Sequence, residues 1–133
     1  DDWAGFLAEY RFLVGVSIDG PKEIHNRYRR KSSGAETFHL VLRGLRKLRE
    51  AEVAVNALVL VSRANVRRAQ QVYRFLRDQG FDFLQFIPCV EADPRTGQAT
   101  EHTPPPEAFG DFICAVFEAW RQIGFCGAAP PER

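Results

Sequence analysis

Hydrophobic residues follow two alternating patterns along the chain. Four segments place apolar residues three or four positions apart, as on one face of a helix, and three shorter segments are nearly continuous apolar runs. Gly80 is well placed to end the third helix in a left-handed conformation. Pro106 or Glu107 begins the last helix. The predicted helices are 3–10, 35–50, about 65–79 (opened by Ser62 or Asn65) and 106–123, and the predicted strands are 11–17, 52–61 and 81–87.

Strands that alternate with helices predict an α/β fold with a parallel sheet and right-handed crossovers. The strand runs are continuous in apolar residues, which is typical of strands buried on both faces. The chain has 133 residues, whereas a complete eight-unit barrel needs at least about 200. The pattern therefore predicts three parallel strands alternating with four helices, either as a small open sheet or as a slice of a partial (β/α) barrel.

Three stretches carry neither pattern. Residues 22–34 are polar and are interpreted as a loop with one helical turn, and residues 90–106 are a loop rich in Pro, Thr, Asp and Gly. Residues 124–133 are interpreted as a frayed tail. The folded unit is therefore predicted to cover 1–123.

Composition narrows the class of protein. Hydrophobic residues make up 45% of the chain and aromatic residues 12%, as in an ordinary folded domain. The 18 basic and 17 acidic residues leave a net charge of +1, which does not indicate binding to nucleic acid or to a membrane surface. No apolar run approaches the length of a membrane span. The chain has no signal peptide and no methionine, so we expect an excised piece of a longer protein.

The chain has three cysteines, Cys89, Cys114 and Cys126. An odd number excludes complete internal pairing, and the spacing fits no zinc site. The cysteines are therefore predicted to be reduced thiols, buried or half-buried, in a cytoplasmic protein. The three histidines are too scattered along the chain to predict a metal site.

Polar residues stand at and near the ends of the predicted strands, where parallel α/β folds bind their ligands. Ser17 and Asp19 can hold a ribose or an amino-acid group, or can satisfy backbone N–H groups in a turn. Arg29, in a basic cluster, can grip a carboxylate with two hydrogen bonds or belong to a solvated loop. Asn56 and Gln85 interrupt apolar strands, so each either faces a barrel interior or is a hydrogen-bonded core residue.

Several strings resemble, in order and spacing, one family of enzymes. The Ser-Ile-Asp-Gly-Pro string at 17–21 is shared widely among radical S-adenosylmethionine (SAM, also written AdoMet) enzymes with a SPASM extension. The Leu-Gln-Phe-Ile-Pro string at 84–88, followed by Val90 and Glu91, narrows the resemblance to the anaerobic sulfatase-maturating enzymes. The resemblance covers about 1–123. The strings are Phe12-Leu-Val-Gly-Val-Ser-Ile-Asp-Gly-Pro-Lys-Glu-Ile-His-Asn26, Gly34 with Thr37-Phe38, Val55-Asn56-Ala-Leu-Val-Leu-Val61, Val72-Tyr73-Arg-Phe-Leu76 and Phe83-Leu-Gln-Phe-Ile-Pro88.

The resemblance implies a radical SAM oxidoreductase that oxidises an active-site Cys or Ser of a sulfatase polypeptide to formylglycine. In such enzymes a reduced 4Fe–4S cluster cleaves SAM, and the resulting 5′-deoxyadenosyl radical takes a hydrogen from the target residue. The cofactor carries this chemistry, while the protein binds and shields it.

The family's SAM contacts carry over to positions in the central part of this sequence. The resemblance implies that Ser17 bonds the nucleoside or amino-acid part of SAM, that Arg29 pairs with its carboxylate, and that Val90 contacts the adenine. Asp19 is implied in the same site. Asn56 and Gln85 are implied as contacts to the substrate or as supports of the residues that touch SAM.

The chain also departs from the family's pattern. It lacks the Cys-x3-Cys-x2-Cys loop of the primary cluster, the Gly-Gly-Glu-type motif that grips the SAM amino group, and the SPASM region with its auxiliary clusters and catalytic acid. We therefore expect one wall of a SAM site, without catalytic residues or metal ligands. On its own the chain is expected to be inactive and to bind neither SAM nor a 4Fe–4S cluster stably.

Two other interpretations stay open. One is a different radical SAM enzyme with a SPASM extension that modifies another peptide. The other is a non-enzymatic α/β module that binds a small anion or a partner through Ser17, Asp19 and Arg29. Under any of them, the two unpaired edges of a three-stranded sheet predict self-association.

Overall fold

A parallel sheet of three strands forms the centre of the structure. The structure is a computed structural model that describes residues 3–124, and within them it shows five helices and three strands. The predicted tail lies outside the described residues apart from Gly124. The helices are α1 (Trp3–Glu9), α2 (Lys22–Tyr28), α3 (Phe38–Glu50), α4 (Ala69–Asp78) and α5 (Pro106–Gly124), and the strands are β1 (Leu13–Ser17), β2 (Ala54–Val61) and β3 (Leu84–Pro88).

The strands run parallel in the order β1-β2-β3. Gly15 pairs with Asn56 and Ser17 with Leu58, and on the far side of β2 Leu58 pairs with Gln85. Strands that follow one another in the chain are therefore neighbours in the sheet, joined by helical crossovers, as in a (β/α) barrel. This confirms the predicted α/β fold with three parallel strands.

One face of the sheet is covered by the helices. Ala57, Val59 and Val61 of β2 are completely buried on this face. Phe86 of β3 meets Phe112 of α5 edge to face, with ring centroids 5.3 Å apart. Removal of this apolar layer from water is the main favourable term in folding.

The opposite face of the sheet is open, which corrects the prediction of strands buried on both faces. Leu13 is 64% exposed, Phe83 71% and Ile87 45%. Successive residues of a strand point to opposite faces, so these side chains lie opposite the helices. The residues on the open face are themselves largely apolar, and this hid the alternation of buried and exposed positions in the sequence.

Residues 22–34 contain the helix α2, so the described chain has five helices rather than the predicted four. The helix begins after Pro21 and buries Ile24, His25 and Asn26. Two of these three buried residues are polar. A search for apolar residues at helical spacing therefore misses the buried face of α2.

The first turns of α3 and α4 begin later than predicted. Asn26 Oδ1 accepts hydrogen bonds from Thr37 N–H at 3.3 Å and Phe38 N–H at 3.1 Å, which fixes the start of α3. Ser62 and Asn65 form a turn before α4, in which Asn65 Oδ1 accepts from Ser62 N–H at 2.8 Å. The predicted start of α5 at Pro106 and the left-handed Gly80 after α4 (φ 74°) are confirmed.

The two described cysteines differ in exposure. Cys89 is half-buried, as predicted, whereas Cys114 on α5 is exposed, contrary to the prediction. Cys114 lies beside the exposed Ile113, on a side of α5 that no other described element covers. Cys126 lies outside the described residues. Among the helices of residues 3–124, none is both long and apolar enough to cross a membrane.

Candidate cofactor-binding site

The open face of the sheet carries three of the residues singled out in the sequence. Ser17 ends β1 with an exposed side chain, and Gln85 lies on the same face, in register through Leu58. Asn56 also points to this face, where it lies beside Gly15 and is only 8% exposed. A Cβ atom on Gly15 would lie 2.7 Å from Leu58 Cδ1, so the glycine makes room for the Leu58 side chain on this face. The open face is thus apolar with one polar residue on each of the three strands.

Asp19 and Arg29 form an ion pair just beyond the end of β1. Arg29 Nε lies 2.6 Å from Asp19 Oδ2, and Arg29 Nη2 lies 3.0 Å from Asp19 Oδ1. The same Oδ1 accepts a hydrogen bond from Leu60 N–H of β2 at 2.9 Å. The side chain of Asp19 is 9% exposed and that of Arg29 is 32% exposed. Arg29 therefore presents part of its guanidinium to solvent, while the carboxylate that holds it is closed off.

Asn65 ties the ends of β1 and β2 together. Its Nδ2 donates to Asp19 O at 3.1 Å and to Leu60 O at 2.9 Å, and the residue is 1% exposed. Sequence reasoning treated Asn65 only as a possible start of a helix and missed this role. An Asn four residues after the end of an apolar strand was the available signal, because an amide at that place can bond the backbone groups of the strand end.

Thr37 and His25 hold the backbone carbonyl of Arg29 through a chain of two hydrogen bonds. Thr37 Oγ1 donates to Arg29 O at 2.6 Å, and His25 Nε2 lies 3.2 Å from the same hydroxyl. Because the hydroxyl proton is already donated, Nε2 must donate to Oγ1, which assigns the neutral Nε2–H tautomer. Burial lowers the pKa of His25; the Asp19 carboxylate raises it by less, and Arg29 lowers it further. His25 is therefore a neutral structural residue in this site.

Val90 follows β3 at the same edge of the sheet and is 84% exposed. The preceding residue, Cys89, extends the sheet by donating its N–H to Val61 O at 2.8 Å. After Val90, the backbone of Glu91 is held by Thr103, whose hydroxyl accepts from Glu91 N–H at 3.0 Å. Burial raises the pKa of the Cys89 thiol, and Glu91 raises it further, so the thiol is protonated near neutral pH.

The structure brings the predicted residues together at one edge of the sheet to different degrees. Asp19 and Arg29 are in direct contact. Ser17, Asn56 and Gln85 share the open face, and Val90 lies at the adjoining end of β3. Within residues 3–124, no group of three or more His, Cys, Asp or Glu side chains is arranged to hold a metal ion. The edge thus combines hydrogen-bonding and apolar groups with the partly exposed side chain of Arg29.

Comparison with known proteins shows which enzymes this chain is similar to. No family model matches the chain. A cysteine-type anaerobic sulfatase-maturating enzyme from Clostridium novyi (strain NT) is 35% identical over 122 residues, which are 90% of this chain and 32% of that enzyme. A serine-type anaerobic sulfatase-maturating enzyme from Bacteroides thetaiotaomicron is 32% identical, again over 90% of this chain and 32% of the enzyme. The solved structure of native anSMEcpe with bound AdoMet and Cp18Cys peptide matches with a TM-score of 0.85 and 35% identity, over 92% of this chain and 34% of that one.

The chain is similar to one part of the anaerobic sulfatase-maturating enzymes. It spans about a third of the length of the curated relatives that it matches. A second structure, native anSMEcpe with bound AdoMet, matches with a TM-score of 0.83 at 34% identity. The resemblance predicted from the strings is thereby confirmed. Cysteine-type and serine-type enzymes both match, so the similarity does not separate the two types.

Proposed function

We propose that this chain is part of a radical SAM oxidoreductase that converts a Cys or Ser of a sulfatase polypeptide to formylglycine, and that it supplies one wall of the SAM site. The main observation in support is that this chain, whose sheet is open on one face, matches a structure of anSMEcpe with bound AdoMet at a TM-score of 0.85. The polar residues of the chain gather at the carboxyl ends of the strands, where such folds bind ligands.

The residues at this edge fit SAM in size and chemistry. Arg29 is partly exposed and positively charged, and its Nη1 makes no hydrogen bond to the described part of the chain, so it can donate to the SAM carboxylate. Ser17 offers a hydroxyl to the nucleoside or amino-acid part, and the exposed Val90 offers an apolar surface to adenine. Bound SAM supplies the radical chemistry of the family, and these residues bind and orient it.

The chain does not fit the iron–sulfur cluster of the family. Its sequence has no Cys-x3-Cys-x2-Cys loop, and Cys89 and Cys114 lie on different elements, after β3 and within α5. We therefore place the cluster ligands in other parts of the enzyme and none on this chain. Alone, the chain is inactive and holds no cluster, and it binds SAM only weakly, too weakly to hold it stably. Iron analysis after anaerobic reconstitution tests this, since a stoichiometric 4Fe–4S cluster on the 133-residue chain would contradict it.

The substrate side of the site is the open face of the sheet. Asn56 and Gln85 point to it between apolar neighbours and can bond the backbone of an extended sulfatase peptide. The proposed location is the cytoplasm, where thiols stay reduced, and the two described cysteines, Cys89 and Cys114, are both unpaired. Neither nucleic acid nor a membrane is a proposed partner.

A chimaera tests the proposed function. The chain replaces the matching segment of the Clostridium perfringens cysteine-type enzyme, to which it is 35% identical, and formylglycine formation in a Cys-containing sulfatase peptide is followed anaerobically. We expect turnover, and we expect Arg29→Gln to lower it at least about tenfold, since a charge-assisted hydrogen bond is lost. The matched control is Arg30→Gln, which removes an exposed guanidinium that within the described residues bonds only Gly34 O.

Two results would contradict the proposal. One is a folded chimaera that carries its cluster and cleaves SAM but leaves the peptide unmodified, which would favour a different peptide substrate. The other is equal activity of the Arg29→Gln and Arg30→Gln variants, which would remove Arg29 from the SAM site. A chain that binds an acidic peptide tightly but no nucleoside would instead favour a non-enzymatic module.

A further inference from the structure

Asp19 has almost no capacity left for a ligand. A carboxylate has about four lone-pair positions, and Asp19 already accepts hydrogen bonds from Arg29 Nε at 2.6 Å, from Arg29 Nη2 at 3.0 Å and from Leu60 N–H at 2.9 Å. The residue is 6% exposed. Whatever Asp19 contributes to the site, it contributes through the groups that it holds.

Arg29 is held on three sides. Its Nε and Nη2 bond to Asp19, its carbonyl accepts from Thr37 Oγ1 at 2.6 Å, and its N–H donates to His25 O at 3.0 Å. Only Nη1 and the remaining proton of Nη2 are left for another acceptor. A flexible side chain with four rotatable bonds is thereby fixed in one orientation, with its unpaired edge directed away from Asp19.

The anchor behind this pair is itself rigid. Asn65 bonds both Asp19 O and Leu60 O, and Ile18, directly before Asp19, is completely buried. Leu60 N–H, which bonds the Asp19 carboxylate, belongs to the central strand β2. The position of Arg29 is therefore set by the ends of two paired strands, although Arg29 itself lies beyond α2 in a connecting segment.

We propose that Asp19 is a positioning residue, which orients Arg29 so that its free edge receives the carboxylate of SAM. The inference rests on the proposed function and refines it, because it removes Asp19 from direct contact with the ligand. A guanidinium that is already held in place loses little conformational entropy when the ligand binds, so the entropic cost of binding is smaller. The negative charge of Asp19 acts in the opposite direction, because it repels a ligand carboxylate.

These two effects predict opposite outcomes for Asp19→Asn. If orientation dominates, as proposed, the variant binds SAM more weakly, because an amide cannot accept both donors of the guanidinium fork. If Asp19 only competes for Arg29, the variant binds SAM more tightly, because a repelling charge is gone. The sign of the change therefore decides between them.

The experiment uses two ligands and the 133-residue chain. SAM carries the amino-acid carboxylate on a sulfonium, and 5′-methylthioadenosine has the same adenosine with a neutral thioether and no amino-acid part. Amide shifts of Ser17 and Val90 and the side-chain Nε–H signal of Arg29 report weak binding by NMR. For Asp19→Asn we expect SAM affinity to fall about tenfold, the lower end of what a charged hydrogen bond contributes, and methylthioadenosine affinity to stay unchanged.

Controls separate positioning from a general structural role. Asp82→Asn removes an exposed carboxylate that pairs with Arg77 at 3.1 Å, and it should change neither affinity. Arg29→Lys keeps the charge but loses the planar fork, so it should reproduce the selective loss for SAM. Asp19→Glu keeps the proposal testable if Asp19→Asn does not fold: it keeps the charge but shifts the guanidinium, so positioning predicts a selective loss for SAM and competition predicts no change.

Three outcomes would overturn the inference. Tighter SAM binding by Asp19→Asn would show competition instead of positioning. An equal loss for both ligands would show a general structural role. If neither ligand perturbs Ser17, Val90 or Arg29 in the unmodified chain, the proposed function itself fails and the inference fails with it.

Discussion

His25 shows how a single buried side chain can make the fold sensitive to pH. Its ring is 0% exposed, and within the described chain its Nδ1 has no hydrogen-bond partner. Burial lowers the pKa of His25 below its ordinary value of 6.5, although Asp19 raises it in part and Arg29 adds a smaller lowering. The unfolded chain therefore binds this proton more readily than the folded chain.

The stabilisation that follows is fully present above the unfolded pKa of 6.5 and is lost as the pH falls below it. We expect the urea midpoint of the chain to decrease between about pH 7.5 and pH 5.5. His25→Gln, which can still donate to Thr37, should flatten this dependence, whereas His39→Gln at an exposed position of α3 should not. Equal slopes in both variants would exclude His25 as the source.

Asn26 is the cap of α3, although it lies on another helix. Its Oδ1 accepts from Thr37 N–H and Phe38 N–H, and it is 3% exposed. Asn26→Ala should lower the free energy of unfolding by about 0.5–2 kcal/mol, as loss of an N-cap does. Asn26→Asp should lower it less, because it keeps an acceptor and adds a negative charge at a helix N-terminus. Chemical denaturation measures both, and an equal loss would argue against capping.

At the residue scale, the sequence predicted where polar groups gather but not how they connect. Ser17, Asp19 and Arg29 could be singled out because polar residues follow a strand and because their strings resemble a known family. The pairing of Asp19 with Arg29, and the bridge made by Asn65, depend on contacts between residues 10 and 46 positions apart. No local pattern encodes such contacts.

At the scale of single elements, Gly20 allows α2 and α4 to pack next to the end of β1. Its φ is 144°, and a Cβ atom there would lie 3.2 Å from Val72 Cγ2 and 3.3 Å from Ile24 Cγ2. Gly20→Ala should lower the free energy of unfolding by about 1–3 kcal/mol through backbone strain and crowding.

Gly44→Ala is the matched control, since nothing lies within 4 Å of its Cβ position. It should instead raise stability by about 0.5–1 kcal/mol, because it lies within α3. Thermal or urea unfolding of both variants checks the opposite signs, and a neutral Gly20→Ala would contradict this view of the turn.

Elements with a strong apolar stripe were the easiest to predict. α5 begins at Pro106 as expected, and the three strands lie within a few residues of their predicted runs. α2 was missed because it buries His25 and Asn26 next to a single aliphatic residue, Ile24. Its buried face exists because those polar groups find partners at Thr37 and Phe38, where α3 begins, and periodicity does not report such partners.

At the scale of the whole molecule, the open face and the edges of the sheet govern how the chain behaves in solution. Within the described residues β1 and β3 each pair on one side only, and Leu13, Phe83 and Ile87 are exposed near them. Unpaired strand edges with apolar side chains favour edge-to-edge association. We therefore expect the chain to self-associate as its concentration rises, as light scattering would show.

Charged substitutions test the surface responsible. Leu13→Lys and Phe83→Lys should reduce association, because a lysine at a sheet edge opposes pairing. Arg95→Lys, in the exposed loop after β3, serves as the control and should leave association unchanged. A monodisperse monomer across a broad concentration range would contradict the expectation.

The fold class could be predicted from the alternation of helical and strand patterns, since that order admits few arrangements. The open face could not, because apolar side chains lie on both sides of β1 and β3 and look the same in the sequence whether covered or exposed. The central claim is that the carboxyl edge of this open sheet is one wall of a SAM site.

Titration of the chain with SAM, followed by NMR, tests that claim most directly. The account predicts weak, saturable shifts at Ser17, Val90 and the Arg29 Nε–H, with core amides such as that of Val59 unchanged. Shifts confined to other surfaces, or none at these three residues, would contradict it.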